Sequence, residues 1–182
     1  MSSTSAQSAI AREQLIAALE KSAKAFLDSL SSVPASAAGV KLNENSWSIL
    51  QVAEHVAAVE QRMLRGLQTS QDKTSAPDFD RDAKIAAGVR NRANRLQAPE
   101  MVVPKGRWFT LAECKKAFEE CRANTIDYAK KAENLRGKSF MHPLLGEIDG
   151  CQALLVMASH ADRHVQQIEE IKQSAAYKAA GY

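Results

Sequence analysis

The clearest helical pattern in this chain is CQALLVMASHADRHVQQIEEIKQ, residues 151–173. Apolar residues and two histidines recur along it at intervals of three or four, which is the period of one helix face. That face contains Ala153, Met157, His160, His164, Ile168 and Ile171. Its apolar members indicate burial, and two buried imidazoles without a partner would be unfavourable. Because four residues of helix rise only about 6 Å, one cation can bind both rings. The segment therefore predicts a core helix that carries two metal ligands.

Three further segments share this periodicity and complete a predicted set of four long helices. The predicted helices run from about Ala6 to Ser32, from Ser46 to about Gln68, from Thr110 onward, and from just after Asp149 and Gly150 to about Gln173. Ser46 is an N-cap type of residue, and Thr110 with Glu113 forms a capping-box pattern. Four amphipathic helices predict an all-α fold, in which a helix bundle buries the four apolar faces together.

The second and third helices are separated by roughly 40 residues, a connection that is unusually long unless it has a role. Residues 70–80 are predicted to be a loop, residues 82–96 a shorter polar helix, and residues 99–108 an extended or irregular segment. A second predicted loop, residues 137–150, precedes the last helix. The prediction is a single domain, residues 1–182, that forms a four-helix bundle with a long crossover between helices 2 and 3.

The composition indicates a soluble globular protein, because 45% of the 182 residues are hydrophobic and 25% are charged. The net charge is +3 with Lys and Arg scattered, which gives little support for a nucleic-acid or membrane partner. No apolar run approaches the ~18 residues of a membrane span, and the first residues lack the pattern of a signal peptide. The three cysteines, Cys114, Cys121 and Cys151, form no CxxC pair, as expected in a reducing compartment. We therefore expect a cytoplasmic protein.

A third histidine, His55, lies on the second predicted helix beside the apolar face that contains Val52 and Val59. If it points into the bundle, it joins His160 and His164 to give three nitrogen ligands from two facing helices. Three protein ligands leave at least one coordination position open, which is typical of catalytic rather than structural metal sites. Two other interpretations stay open. A single inward histidine is more often a hydrogen-bonded core residue, and histidine pairs at this spacing also occur on solvated faces.

Two segments resemble the DinB-like superfamily. In NSWSILQVAEHVAAVE, residues 45–60, Trp47 precedes His55 by eight residues, as the tryptophan of that family precedes its metal-binding histidine. In residues 142–172, an HP..G turn is followed by H...H and then QI, as in the family's last helix and the loop before it. The matching residues are His142, Pro143, Gly146, His160, His164, Gln167 and Ile168. The order and spacing of the segments also fit along the whole chain.

The resemblance implies a four-helix bundle in which His55, His160 and His164 bind a divalent metal ion. Similar proteins include bacterial S-transferases and isomerases that use low-molecular-weight thiols such as bacillithiol or mycothiol, and members are often homodimers. The resemblance therefore implies a bacterial homodimer that uses its metal to activate a small-molecule thiol toward an electrophilic substrate. Zinc or nickel is the expected ion, and iron, copper or manganese would also suit the site. Metal-dependent hydrolysis and a non-catalytic metal-binding or interaction bundle are the alternatives.

Other features have weaker functional interpretations. His142 could contact the substrate, although fixing the turn before the last helix is the favoured role. Gln51 could hold the free ring nitrogen of His55, although an exposed helix position is expected more often. Cys151 begins the last helix, where a thiol can be acidified, but it is too far along the chain from the paired histidines to be counted as a ligand. The segment 81–95 could bind the carboxylates of an anionic thiol or substrate, and a solvated charged helix is its default interpretation. The basic residues of that segment are Arg81, Lys84, Arg90, Arg92 and Arg95.

Overall fold

The computed structural model describes residues 10–93 and 97–182. Over these residues the chain has six α-helices and one small antiparallel sheet. The helices are α1 (Arg12–Ser31), α2 (Ile49–Gln68), α3 (Phe79–Arg90), α4 (Leu111–Lys131), α5 (Gly150–Gln173) and α6 (Ala175–Ala179). The strands are β1 (Gln71–Asp72), β2 (Lys138–His142) and β3 (Gly146–Asp149). Helices α1, α2, α4 and α5 correspond to the four predicted long helices, so the predicted four-helix bundle is confirmed. The predicted start of the first helix near Ala6 lies outside the described residues.

Side-chain caps begin three of the four bundle helices. Ser48, Thr110 and Asp149 each accept a hydrogen bond from the backbone N–H three residues later, and the side chain of that later residue accepts from the N-cap N–H. These reciprocal bonds satisfy backbone donors that the helix itself leaves unpaired. The cap of α2 is therefore Ser48 rather than the predicted Ser46, whose hydroxyl hydrogen-bonds with the backbone of Asn43 instead.

The directions of the four bundle helices explain the long crossover. Helix α1 packs against α4 and α5, and α2 packs against the same two helices. One apolar cluster includes Phe26, Val52, Phe118 and Ile168, and a second includes Leu19, Met63, Ala129 and Met157. Along the chain, α2 and α4 both pass from the first cluster to the second, whereas α1 and α5 pass from the second to the first. Because α2 and α4 run in the same direction, the chain must return along the bundle between them.

A buried ion pair lies where the two apolar clusters meet. Arg122 of α4 donates hydrogen bonds to both carboxylate oxygens of Glu60 on α2. It also donates to Leu19 O and Ser22 Oγ of α1 and to Met157 O of α5. The side chains of Glu60 and Arg122 are both almost fully buried. One guanidinium group therefore links all four helices of the bundle.

The two segments predicted as loops, residues 70–80 and 137–150, contain the strands of the small sheet, in the order β1-β2-β3. Strands β2 and β3 form a hairpin that ends with the pair His142 and Gly146. Gly146 has a φ of 70°, a left-handed conformation that glycine adopts without strain. The prediction of simple loops is wrong here, because strands of two to five residues are too short to show a clear alternating pattern.

The hairpin and α3 cover the outside of α2 and α5. The hairpin approaches α2 closely at Gly66, where an added Cβ atom would lie only 2.6 Å from the Phe140 ring. Helix α3 packs against α5. It is the polar crossover helix that the sequence predicts, although it begins at Phe79 and ends at Arg90 instead of spanning residues 82–96. None of the helices in the described part of the chain is long and apolar enough to cross a membrane.

Candidate metal centre

The structure brings together the three histidines singled out in the sequence, at the interface of α2 and α5. His160 Nε2 lies 3.2 Å from His55 Nε2 and 3.1 Å from His164 Nε2. One ligand nitrogen from each ring lies within 4.8 Å of the other two. Two nitrogens that bind one ion at about 2.0–2.1 Å lie roughly 2.9–3.4 Å apart when the bond angle is about 90–110°. The spacing around His160 therefore fits ligands that share one divalent ion.

Hydrogen bonds at the far side of the His55 and His164 rings leave their converging nitrogens unprotonated. His55 Nδ1 lies 2.8 Å from Val102 O, and His164 Nδ1 lies 2.8 Å from Gln167 Oε1. Both partners are oxygens that accept, so each Nδ1 carries the proton and each neutral ring has a lone pair on Nε2. The Nε2 atom of His160 has at most one proton to share between these two neighbours. The cluster is therefore short of donors, and a cation is the partner that its lone pairs fit.

Burial keeps the three imidazoles in the form that binds metal. His55 and His164 are buried, and His160 is partly buried. Burial lowers the pKa of His55, and it lowers the pKa of His160 and His164 well below the usual histidine value, with a smaller contribution from the neighbouring histidines. The Trp47 ring also packs on His55, with 4.8 Å between ring centroids. At neutral pH the rings are therefore uncharged, which is the state that coordinates divalent ions.

Glu54 holds the crossover segment, here residues 102–107 of the connection between α2 and α4, next to the site. Its buried carboxylate accepts backbone hydrogen bonds from Lys105 N at 2.8 Å, Gly106 N at 3.1 Å and Arg107 N at 3.0 Å. The same segment supplies Val102 O, the acceptor for the His55 ring. Glu54 therefore positions the backbone that orients a candidate ligand. No motif or spacing in the sequence predicts this role, and its one local signal is an acidic residue inside the apolar helix VAEHVAA.

A cavity of about 950 Å³ opens beside the histidines. Its walls are formed by helices α2 and α5, the loop before α2, the β2–β3 hairpin and the crossover segment. All three histidine side chains are part of the lining. A cavity of this size accommodates a ligand of a few hundred daltons. The candidate metal centre is therefore accessible to a small molecule.

Comparison with known proteins assigns the family. A sequence model of the DinB superfamily matches residues 18–168, which is more than half of the chain. This chain belongs to the DinB superfamily. The resemblance inferred from the sequence motifs is thus confirmed. A curated relative of this DinB superfamily protein is YuaE of Bacillus subtilis (strain 168), described as an uncharacterized protein. It is 25% identical over 141 residues, which cover 73% of this chain and 84% of YuaE.

Two solved structures share the fold of this DinB superfamily protein. TT2238, described as a four-helix bundle protein, is 24% identical with a TM-score of 0.57, and the match covers 87% of this chain and 98% of TT2238. YfiT from Bacillus subtilis, described as a probable metal-dependent hydrolase with an unusual four-helix bundle topology, is 14% identical with a TM-score of 0.58. That match covers 91% of this chain and 89% of YfiT. At these identities the comparison supports the bundle architecture.

Two polar residues flagged in the sequence have structural roles in this DinB superfamily protein. The Gln51 side chain caps α2, so it is not the partner of His55, which is Val102 O. His142 Nδ1 accepts the backbone N–H groups two and three residues later, both at 3.2 Å, and so fixes the turn before the last helix, as favoured from the sequence. The His142 side chain also lines the cavity, which keeps contact with a ligand possible.

The arginines of the segment 81–95 mainly hold the crossover in place. Arg81 donates to two backbone carbonyls of the hairpin region, and Arg90 and Arg92 pair with carboxylates on α5. Of these, only Arg92 is among the cavity-lining residues that the structure describes. Arg95 lies outside the described residues. The default interpretation of a solvated helix is therefore incomplete, because these charges make specific contacts within the fold.

Proposed function

We propose that this protein binds one divalent metal ion through His55, His160 and His164 and uses it to transfer a low-molecular-weight thiol to an electrophilic substrate. The observation that carries the proposal is the convergence of three Nε2 atoms, short of protons, at the wall of a large cavity. Zinc or nickel is the proposed ion, with iron, copper or manganese as further candidates, because an all-imidazole donor set suits these metals.

The chain's own residues prepare the site for an anionic nucleophile. Val102 O and Gln167 Oε1 hold the rings of His55 and His164 with their Nε2 atoms facing His160. A bound divalent ion would supply positive charge that lowers the pKa of a thiol or water. Because neutral imidazoles do not cancel that charge, as carboxylates would, the ligand set favours formation of an anion at the ion's open side.

The thiol of the proposed reaction has to come from outside the protein. None of the cavity-lining residues that the structure describes is a cysteine. Burial raises the pKa of the Cys114 and Cys121 thiols to about 12 and that of Cys151 to about 11. The thiol at the start of α5 is therefore not acidified, in contrast to the sequence-based expectation. A low-molecular-weight thiol that enters the cavity can instead reach the histidine cluster.

Metal-dependent hydrolysis is the second candidate function. It is favoured by the shared fold of YfiT, which is described as a probable metal-dependent hydrolase. The same three histidines would act, with water in place of the thiol. A non-catalytic metal-binding bundle is the remaining alternative, and the open cavity beside the histidines argues against it.

A homodimeric state and a cytoplasmic location stay predictions.

The proposal is tested by measuring turnover with defined metals and thiols. Chelated protein is reloaded with Zn²⁺ or Ni²⁺ and mixed with a panel of thiols and a chromogenic electrophile. Turnover should require both metal and thiol and should disappear in His55→Ala and His164→Ala, whereas Arg90→Gln, outside the cavity, serves as a control and should remain active. Metal-dependent ester cleavage without thiol would favour the hydrolase. Equal rates in the wild type and both histidine variants would refute an enzymatic role for the site.

A further inference from the structure

The cavity beside the histidines has an excess of positive charge. Apart from histidine, its charged lining side chains are Arg62, Arg65, Arg92, Arg163 and Glu170. The carboxylate of Glu170 is the only one among the lining residues that the structure describes, and it is already paired with Arg92. Because the cavity lacks other acidic groups to balance the arginines, it attracts anions even before a metal ion adds its charge.

Arg62 is the arginine best placed to bind an anion. It follows His55 by seven residues on the same face of α2, so it lies about 10 Å further along the helix axis. Its guanidinium group makes no hydrogen bond or ion pair with any residue that the structure describes. After burial, the positive charge of Arg62 is the next cause that lowers the pKa of His142, so the two groups lie near each other. Arg62 is therefore available to a ligand in the cavity.

His142 offers a second donor beside Arg62. Its Nδ1 atom accepts the N–H groups of Leu144 and Leu145, so the proton of the neutral ring is on Nε2. The side chain belongs to β2, which packs against α2, and it lines the cavity together with Arg62. A ring N–H next to a guanidinium group provides several donors for the oxygens of one carboxylate or phosphate.

Exposed apolar side chains border the same cavity. Leu42, Met101, Met141 and Leu144 line it although they are 43%, 44%, 74% and 49% exposed. They are four of the seven large apolar side chains that are exposed in the described part of the chain. Such a concentration of exposed apolar surface is typical of a binding site for an apolar group.

We propose that this cavity binds a small amphiphilic anion, with its carboxylate or phosphate group on Arg62 and His142 and its apolar body against the exposed Met and Leu side chains. A role for this ligand as the enzyme's substrate rests on the proposed function, whereas its binding in the cavity does not. A ligand anchored at Arg62 can extend the roughly 10 Å along α2 to the histidine cluster, where its reactive atom would lie.

The test compares octanoate, octyl phosphate and the uncharged octan-1-ol by calorimetric titration of chelated protein in low salt. An ionic hydrogen bond to Arg62 should make at least one of the two anions bind about tenfold or more tightly than the alcohol, and added salt should reduce the difference. The tighter of the two anions identifies the head group. Arg62→Gln should lose the preference, and Arg90→Gln, which removes the same charge outside the cavity, should keep it. Equal affinities in the wild type, no detectable binding, or an undiminished preference in Arg62→Gln would overturn the proposal.

Because the titration uses metal-free protein, its outcome is independent of turnover. An anion preference without metal-dependent turnover would refute the proposed function and leave the anion site standing. Metal- and thiol-dependent turnover without the preference would refute the anion site alone. A preference that appears only after metal is added would also refute it, since the ion rather than Arg62 would then provide the charge.

Discussion

Replacing Glu54 with glutamine should loosen the crossover segment and weaken metal binding. The carboxylate accepts three backbone hydrogen bonds, two on Oε1 and one on Oε2 from Gly106 N. Glutamine keeps the two bonds on its oxygen but turns an NH₂ group toward Gly106 N–H. One charge-assisted bond of about 1.5–3 kcal/mol is then lost, and the other two weaken by about 0.5–1 kcal/mol each, so the free energy of unfolding should fall by about 2.5–5 kcal/mol. Urea denaturation of the metal-free protein measures this loss.

The effect of Glu54→Gln on the metal follows from the position of Val102. When the crossover segment loosens, Val102 O no longer holds the His55 ring, and the loss of such a partner typically weakens metal binding about 10–100-fold. Zn²⁺ titration and amide hydrogen exchange of residues 105–107 are the readouts. Glu113→Gln is the matched control, because Glu113 also accepts two backbone N–H groups but lies exposed and does not line the cavity. Reduced stability with Zn²⁺ affinity within about threefold of the wild type would show that Glu54 does not support the His55 ligand through Val102 O.

Three further predictions test the surroundings of the site and the bundle core. Gln167→Ala removes the partner of His164 Nδ1 and should weaken Zn²⁺ binding about 10–100-fold, and an unchanged dissociation constant would contradict this. Arg122→Met leaves Glu60 buried without its cation and should lower the free energy of unfolding by about 3–5 kcal/mol in urea denaturation, and a loss below about 1 kcal/mol would be inconsistent with the ion pair described. The metal-free protein should lose stability as the pH falls below about 6.5. Histidines in the unfolded chain then take up protons, whereas the folded histidines, whose pKa values are lowered, resist protonation. The denaturant midpoint should drop less between about pH 8 and about pH 5.5 in His160→Gln, and an equal drop would count against the neutral cluster.

The sequence was sufficient to predict the bundle and the meeting of the three histidines, because both follow from helical period. Val52 and Val59 mark the inner face of α2, and the spacing of His160 and His164 is fixed by one turn of α5. Once these apolar faces are buried together, the side chains that flank them must approach each other. The capping pattern of Thr110 also located the start of α4 correctly, since a cap depends on residues only three positions apart.

The sequence was insufficient where a contact joins distant segments without a local pattern. The three amide bonds of Glu54 and the Val102 O contact of His55 involve backbone atoms about 50 residues away, which no periodicity reveals. The sequence also does not show that Arg62 is available to a ligand, because the cavity it lines exists only once the hairpin has formed one of its walls. The sequence predicts a loop in place of the hairpin because the strands are short, and the position of the hairpin depends on the close approach of Phe140 to α2.

The metal centre is tested most directly by titrating chelated protein with Zn²⁺ in a calorimeter and by elemental analysis of the dialysed product. We expect one tightly bound ion per chain in the wild type and loss of stoichiometric binding in His160→Gln, which lacks the imidazole nitrogen that lies 3.2 Å and 3.1 Å from its two neighbours. Circular dichroism should show that this variant keeps its helices. Failure of the wild type to bind Zn²⁺ or any other divalent transition metal, or full metal content in the folded His160→Gln variant, would contradict the assignment of these histidines as ligands.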